Sequence, residues 1–311
     1  MDRKNGVDRK KSSVIIAYDW RKGKLVKKTS IMENVKFINM EYNCTADLLF
    51  ATAEIVRRNE LVDSIFVIDP RTDHIYKYEL YPDCTEGKEG ALSDLVVKAI
   101  NKQSGIIYAG SVYSHGGIKA LYMIEYSIIG NSARFSHKLL RIGRYGPLSI
   151  CSDLRKEKIY VLSQDRQEDL GLMPVITVID SYSGNTIDKI CISTTFGSVS
   201  PYEGHLLSID SKSSTLTVVI NEMLYLVNLS NKKIIKILKD KKYFFVVTSP
   251  VTDKLYAIAE EEDLESSQPH YNSLHVIDSN LQLHQITKFD PVIEATNIRC
   301  SNSVICINFK H

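Results

Sequence analysis

Val175-Ile-Thr-Val-Ile-Asp180-Ser-Tyr-Ser-Gly-Asn185 is a β-branched run that stops at a carboxylate and enters a tight turn. β-Branched residues suit a pleated, half-buried strand. An Asp at the end of such a run can accept a main-chain hydrogen bond and fix the turn that follows. The unit recurs along the chain, as Ile15-Ile-Ala-Tyr-Asp19, Phe66-Val-Ile-Asp69, Tyr122-Met-Ile-Glu125, Thr177-Val-Ile-Asp180, Tyr225-Leu-Val-Asn228 and His275-Val-Ile-Asp278. The six anchors are 50, 56, 55, 48 and 50 residues apart. Turn-capping explains them more simply than a ring of cation-binding carboxylates.

A period near 50 residues is that of a propeller blade. Each period holds four short strand-like segments separated by turn signals, as a four-stranded blade requires. In the first period these are Val35–Tyr42, Leu48–Ile55, Ser64–Ile68 and His74–Leu80. The other periods follow the same order, with an irregular stretch at 194–204 in the fourth. No window sustains a helical period, so the expected class is all-β.

The phase of the repeat predicts how the ring ends. The chain opens with two strands of the anchor type, Val14–Tyr18 and Lys24–Ser30. It closes with two of the preceding type, Thr296–Ser301 and Val304–Phe309. Pairing the strands of 14–30 with those of 296–309 completes one blade and leaves no open edge around the circle. The expectation is a six-bladed β-propeller of four-stranded antiparallel blades, one domain over 13–311, preceded by a flexible basic tail over 1–12.

Arg141-Ile-Gly-Arg-Tyr-Gly-Pro147-Leu-Ser-Ile-Cys-Ser-Asp153, followed by Lys158-Ile-Tyr-Val-Leu162 and Val178-Ile-Asp180, resembles the repeat of YVTN-type, WD-repeat-like β-propellers. There a Gly–Pro lead-in precedes an inner strand, a turn, a Leu-Tyr-Val strand and a Val-Ile-Asp strand. Tyr243-Phe-Phe-Val-Val-Thr-Ser-Pro250 with Lys254-Leu-Tyr-Ala257 is similar to it as well. The second and fourth units depart from the pattern, with Glu125 and Asn228 in place of the aspartate. The resemblance implies the fold. The family has no single activity, so no site residue is carried over.

Bulk properties narrow the partners. The net charge is +2 and the apolar fraction 44%, which argues for a globular core and against nucleic acid or an anionic membrane as partner. No run reaches the ~18 apolar residues of a membrane span, and no apolar run of signal-peptide length follows the polar stretch Met1–Ser13. The expected setting is cytoplasmic and the expected state a monomer. The six cysteines, at 44, 84, 151, 191, 300 and 306, form no Cys-x-x-Cys pair. They read as reduced core thiols rather than zinc ligands. No metal or cofactor is expected.

Loop length carries the functional information. Turns after the first and third strands of each unit are short; connections after the second and fourth are long, at 56–63, 82–92, 112–119, 164–174, 194–204 and 260–273. Long connections on a rigid scaffold are where binding residues gather. Candidate contact residues there are Arg57, Arg58, Tyr113, Arg144, Tyr145, Asp165, Glu168, Tyr202, His270 and Tyr271. Arginines and tyrosines grip anions or stack on flat groups, and aromatic residues anchor protein interfaces. The acidic run Glu260–Glu262, Asp263 and Glu265 lacks the glycine-containing pattern of a calcium loop.

The reading favoured is a non-catalytic interaction scaffold that binds a protein or peptide on the long-loop face. The alternative is a small-molecule enzyme, a hydrolase, lyase or isomerase, with its site at the mouth of the central channel. Its acid/base residues would be His115 or His205, with Arg57 or Arg144 holding an anionic group. No nucleophile elbow or dinucleotide fingerprint supports a more specific chemistry.

Overall fold

Short β-branched runs broken by turn residues commit the chain to strands, and every regular element among the described residues is a strand. The computed structural model describes residues 13–19, 24–31, 35–57, 60–80, 92–111, 121–140, 142, 145–153, 155–167, 171–192, 206–249, 254–262, 270–278, 282–289, 294–301 and 304–310. The expected basic tail over 1–12 lies outside them. No helix among these residues is long and apolar enough to cross a membrane.

Five antiparallel sheets have four strands each. The first is β3 (Val35–Asn43), β4 (Leu48–Arg57), β5 (Glu60–Ile68) and β6 (Ile75–Leu80). The second is β7 (Leu92–Ala99), β8 (Ser104–Ser111), β9 (Leu121–Ile129) and β10 (Ser132–Leu140). The third is β11 (Tyr145–Asp153), β12 (Lys158–Gln167), β13 (Gly171–Asp180) and β14 (Thr186–Cys191). The fourth is β15 (Leu207–Asp210), β16 (Thr215–Ile220), β17 (Met223–Asn228) and β18 (Lys233–Leu238). The fifth is β19 (Lys242–Thr248), β20 (Leu255–Glu262), β21 (His270–Ile277) and β22 (Leu283–Lys288). Two-stranded ladders stand at the ends, β1 (Ser13–Asp19) with β2 (Lys24–Ile31) and β23 (Glu294–Ser301) with β24 (Val304–Lys310).

The first strand of each sheet touches the first strand of the next, from β3 through β7, β11, β15 and β19 to β23. Within a sheet the strands follow in chain order from this inner strand outward. This is a propeller-like arrangement, with the core lying between sheet faces. Leu162, Ile176, Leu216, Leu224, Val246 and Ala257 belong to one buried cluster that runs through the third, fourth and fifth sheets. Phe50, Val67, Leu95, Ile107 and Ile124 fill the gap between the first and second. Polar bonds cross the seams too. Ser208 Oγ accepts the Thr248 N–H at 2.7 Å, and the buried Lys98 Nζ donates to Ser181 Oγ at 2.6 Å.

One recipe closes most hairpins on one end of the sheets. Asp180 Oδ1 accepts the N–H groups of Tyr182 and Ser183 and the Ser183 hydroxyl, at 3.1, 2.8 and 2.8 Å. The Ser183 N–H does most to hold its carboxyl below the usual range. Gly184 then adopts φ +70°, and its N–H returns to the Asp180 carbonyl at 3.0 Å. The same spacing of four joins Asn43 to Asp47, Asp69 to Asp73, Asp153 to Glu157, Asp210 to Ser214 and Asn228 to Lys232, the second member left-handed each time. Capping at Asp69, Asp180, Asn228 and Asp278 matches the expected role of the repeat's anchors.

Some expectations need correction. Glu125 is no turn anchor. It lies inside β9 opposite Ser136, and the hairpin turns later, at Gly130-Asn131. Three connections are shorter than the sequence implied, because their strands run on before turning. Arg57 pairs with Glu60, Gln167 with Gly171, and Glu262 with His270. Cys44 and Cys191 are exposed and Cys151 is half-buried. Cys44 sits in a turn and Cys191 on an outermost strand, so neither is a core thiol.

Asp180→Ala removes three acceptor contacts at a partly exposed turn. It is expected to lower unfolding free energy by about 1–2 kcal/mol, measured by urea denaturation against Asp180→Asn, which keeps one acceptor oxygen.

Candidate functional site

Strand order sorts the connections. Turns after first and third strands share the end closed by the Asx recipe. The connections after second and fourth strands share the other end, and there the fourth and fifth sheets form a cleft of about 320 Å³. Asn221, Glu222 and Met223 line one side of it, Lys239, Asp240, Lys241 and Lys242 the connection between the sheets, and Glu260 the far wall.

The floor is under local strain. Ile220 pairs with Met223 across a two-residue turn, and Asn221 and Glu222 both have positive φ, 50° and 63°. Turns of this type favour Asn-Gly because both central residues are left-handed. Glu222 thus holds a conformation that a glycine would adopt more easily. Its carbonyl accepts the Tyr243 N–H at 2.7 Å, which ties the turn to the innermost strand of the fifth sheet.

Behind the mouth a polar chain runs into the seam. Lys241 Nζ lies 2.7 Å from Glu261 Oε2, and Glu261 Oε1 lies 2.7 Å from His275 Nε2. Ser273 Oγ donates to the same oxygen at 3.3 Å. Glu261 is buried and His275 wholly so, with the Tyr243 ring edge-on to the imidazole at 5.8 Å. Burial alone would raise the Glu261 carboxyl, but the bonds from Lys241 and His275 outweigh it and hold it below its ordinary value. An ionised carboxylate only accepts, so His275 Nε2 carries the proton. Nδ1 is buried with no partner among the described residues. This chain braces the cleft wall, and its imidazole does not reach the cleft surface.

What the cleft presents is charge of alternating sign. Lys242 lies 3.5 Å from Glu260, with Glu222, Lys239 and Asp240 alongside. A second titratable feature stands at the same end of the first sheet. Asp63 pairs across strands with Glu54. Burial first, and the Glu54 charge after it, push its carboxyl up to about 7 against an opposing bond from the Leu92 backbone.

Among the residues picked from sequence, Asp165 alone has a described side chain. It lies in β12 opposite Met173, half-buried, and accepts the Arg166 N–H at 3.0 Å. It is a strand residue and not the loop residue expected. Arg57 ends β4, Tyr145 opens β11, and His270 and Tyr271 open β21, so their backbones reach the cleft-bearing end on separate sheets. Register sets Tyr271 opposite Glu261. Arg58, Tyr113, His115, Arg144, Glu168, Tyr202 and His205 lie outside the described residues. The sequence reading passed over Glu261 as part of a solvated acidic run and over His275 as a repeat position. The one available signal was a histidine where the third unit has threonine and the second and fourth have tyrosine.

No family model matches the chain, and no curated protein matches it by sequence. Solved structures do match. A chain of the mitotic checkpoint complex superposes with a TM-score of 0.56 at 9% identity, over 94% of this chain and 76% of that one. Hydrazine synthase of Kuenenia stuttgartiensis gives 0.54 at 12%, over 81% and 65%. Sqt1 from Chaetomium thermophilum gives 0.50 at 9%, over 86% and 75%. The likeness to the first and third fits a β-propeller fold.

Two measurements probe the cleft. Glu222→Gly relieves the left-handed strain and is expected to raise unfolding free energy by about 1 kcal/mol, read by thermal denaturation. Glu261→Gln tests the brace. A depressed carboxyl contributes stability above its unfolded value of about 4.3 and loses it as pH falls through the lower folded value. The wild type should therefore be more stable than Glu261→Gln at pH 7, with the gap closing as pH falls below about 4.

Proposed function

We propose that the chain is a six-bladed propeller of the YVTN type whose sixth blade is assembled from β1–β2 and β23–β24. It works as a non-catalytic scaffold that binds a protein or peptide on the end carrying the longer connections. The tail over 1–12 precedes a single domain over 13–311, and the setting is a cytoplasmic monomer. β1 packs against β3 and β23 against β19, which supports a shared sixth position in the ring.

The observation that carries the scaffold reading is the cleft. Its lysines and carboxylates are interspersed along an open surface, and Lys241 and Lys242 are each held by a glutamate. Charges arranged this way complement the charged side chains of a polypeptide better than they focus on one reacting atom. The likeness to a chain of a checkpoint complex supports the same class of role. Arg57, Tyr145, Asp165, His270 and Tyr271 supply further contacts around that end.

Affinity capture with the purified chain tests the reading. Arg57→Glu and Tyr271→Ala should each lose a partner retained by the wild type. Lys102→Glu, in a turn at the opposite end, should keep it. The same preparation screened by thermal shift against nucleotides, sugars, amino acids and organic acids should stay unmoved. A shift with one chemical class that disappears in His115→Ala replaces the scaffold with the small-molecule enzyme.

A further inference from the structure

Acids on the described ladders stand opposite a base or a neutral residue, with one exception. Lys158 separates Asp153 from Asp180, and Lys242 stands opposite Glu260. Glu54 of β4 and Asp63 of β5 stand opposite each other. Like charges in that position repel, because facing Cβ atoms lie only ~5 Å apart.

The pair belongs to a row that runs Lys36, Glu54, Asp63, Leu80 across the first sheet, on one face of it. Leu80 clusters with Leu92 and Leu95 of β7, so this face looks into the gap between the first and second sheets. Lys36 Nζ lies 3.3 Å from Glu54 Oε2, whereas no cation stands beside Asp63 among the described residues. Asp63 meets Glu54 from β4, Leu80 from β6 and the Leu92 main-chain N–H from β7. Its carboxyl, pushed up to about 7 by burial and then by Glu54, keeps its proton where an ordinary aspartate has lost it.

The surroundings decide what loss of that proton does. Beyond the pair lie the rungs Ile55 with Val62, Val56 with Leu61 and Arg57 with Glu60. Ile55 is buried and resists their separation. Just inside the pair, Thr52 Oγ1 and Ser64 Oγ are buried with no hydrogen-bond partner among the described residues. Opening that reaches them hydrates both hydroxyls together with the two carboxyl groups, which lowers its cost.

We propose that the Glu54–Asp63 pair is a proton-operated latch on the outer end of the β4–β5 hairpin. With Asp63 protonated, the pair stays in the gap and the hairpin is closed. When Asp63 releases its proton to solvent, two facing carboxylates leave the gap for water. The rungs beyond them separate while the rest of the sheet stays folded. A carboxyl raised in the closed form favours closing fully below its ordinary value of about 3.9, and that contribution is lost as pH rises through about 7. The latch therefore opens toward alkaline pH, opposite in sense to the Glu261 brace, which weakens in acid. It is a property of the hairpin itself and holds whether or not that end of the protein binds a partner.

Two measurements on the full chain test it. Carbon NMR of the Asp63 carboxyl follows its proton, and a midpoint near 7 is expected. Amide hydrogen exchange, corrected for the intrinsic rate at each pH, follows the hairpin. Protection of residues 55–57 and 60–62 should fall about tenfold or more from about pH 5.5 to about pH 8.5, under a ceiling of roughly a thousandfold. Protection of β12 and β13 in the third sheet should not change. Asp63→Asn keeps the shape without the charge and should stay protected at both pH values. Glu54→Gln should lower the Asp63 midpoint and move the loss of protection with it. Circular dichroism establishes that each variant folds; should Asp63→Asn not fold, Glu54→Gln carries the comparison. A midpoint near 4 overturns the proposal, and so does an unmoved midpoint in Glu54→Gln. Unchanged protection of the hairpin, or the same loss in Asp63→Asn, overturns it as well. Equal loss in every sheet overturns it in favour of global destabilisation.

Discussion

A side-chain oxygen that accepts main-chain N–H groups two and three residues ahead, with a left-handed residue one position beyond, sets the geometry of one whole end of this protein. Asn43, Asp180 and Asn228 each do so, and Asp69 accepts the first of the two. Asn101 caps Gln103 and Ser104 in the same manner. The turn fixes where the next strand begins, and in a sheet a one-residue slip would send every core side chain to the wrong face. Buried positions in each sheet therefore depend on a handful of exposed oxygens. The left-handed residues Asp47, Asp73, Glu157, Ser214 and Lys232 are not glycines. Each carries a conformational cost of about 1–2 kcal/mol, which the capping bonds and the packing of the following strand offset.

With one end fixed, variation falls on the other. A hairpin between second and third strands either ends tightly, as at Ile220 and Met223, or runs on as a longer ladder, as Glu54 to Arg57 does against Glu60 to Asp63. Neither choice disturbs the turns at the far end. Where a tight hairpin stands beside a longer one, the height difference opens a cleft, and this is how the fourth and fifth sheets create theirs. The cleft is a product of unequal neighbours, and its charges are those of the connection that bridges them.

The strands were legible because burial writes them plainly. Most described strands overlap a run of β-branched and aromatic residues, and the anchors at Asp69, Asp180, Asn228 and Asp278 mark real turns. Glu125 misled because a carboxylate after Met-Ile looks like its counterparts, while the second sheet carries its third strand onward to Ile129 before turning. The extended hairpins were illegible for a different reason. Glu60, Asp165 and Glu262 are polar residues on strand ends, where main-chain pairing needs no apolar side chain. The brace of Glu261 and His275 was hidden by distance, since two residues fourteen apart meet only once the strands pair, Glu261 opposite Tyr271 and Ala257 opposite His275.

Charge has opposite consequences in the two places where lysines gather. At Lys241 the ammonium is half-covered and answers a buried carboxylate, so it supports the seam between the fourth and fifth sheets. On β18 Lys233 and Lys236 are exposed on the outermost described strand of the fourth sheet, where charge contributes little to folding. The chain passes from the second regime to the first within a few residues, from the exposed strand at Lys236 to the cleft at Lys241. The same sequence run thus encodes a wall of the cleft and a rim of the sheet.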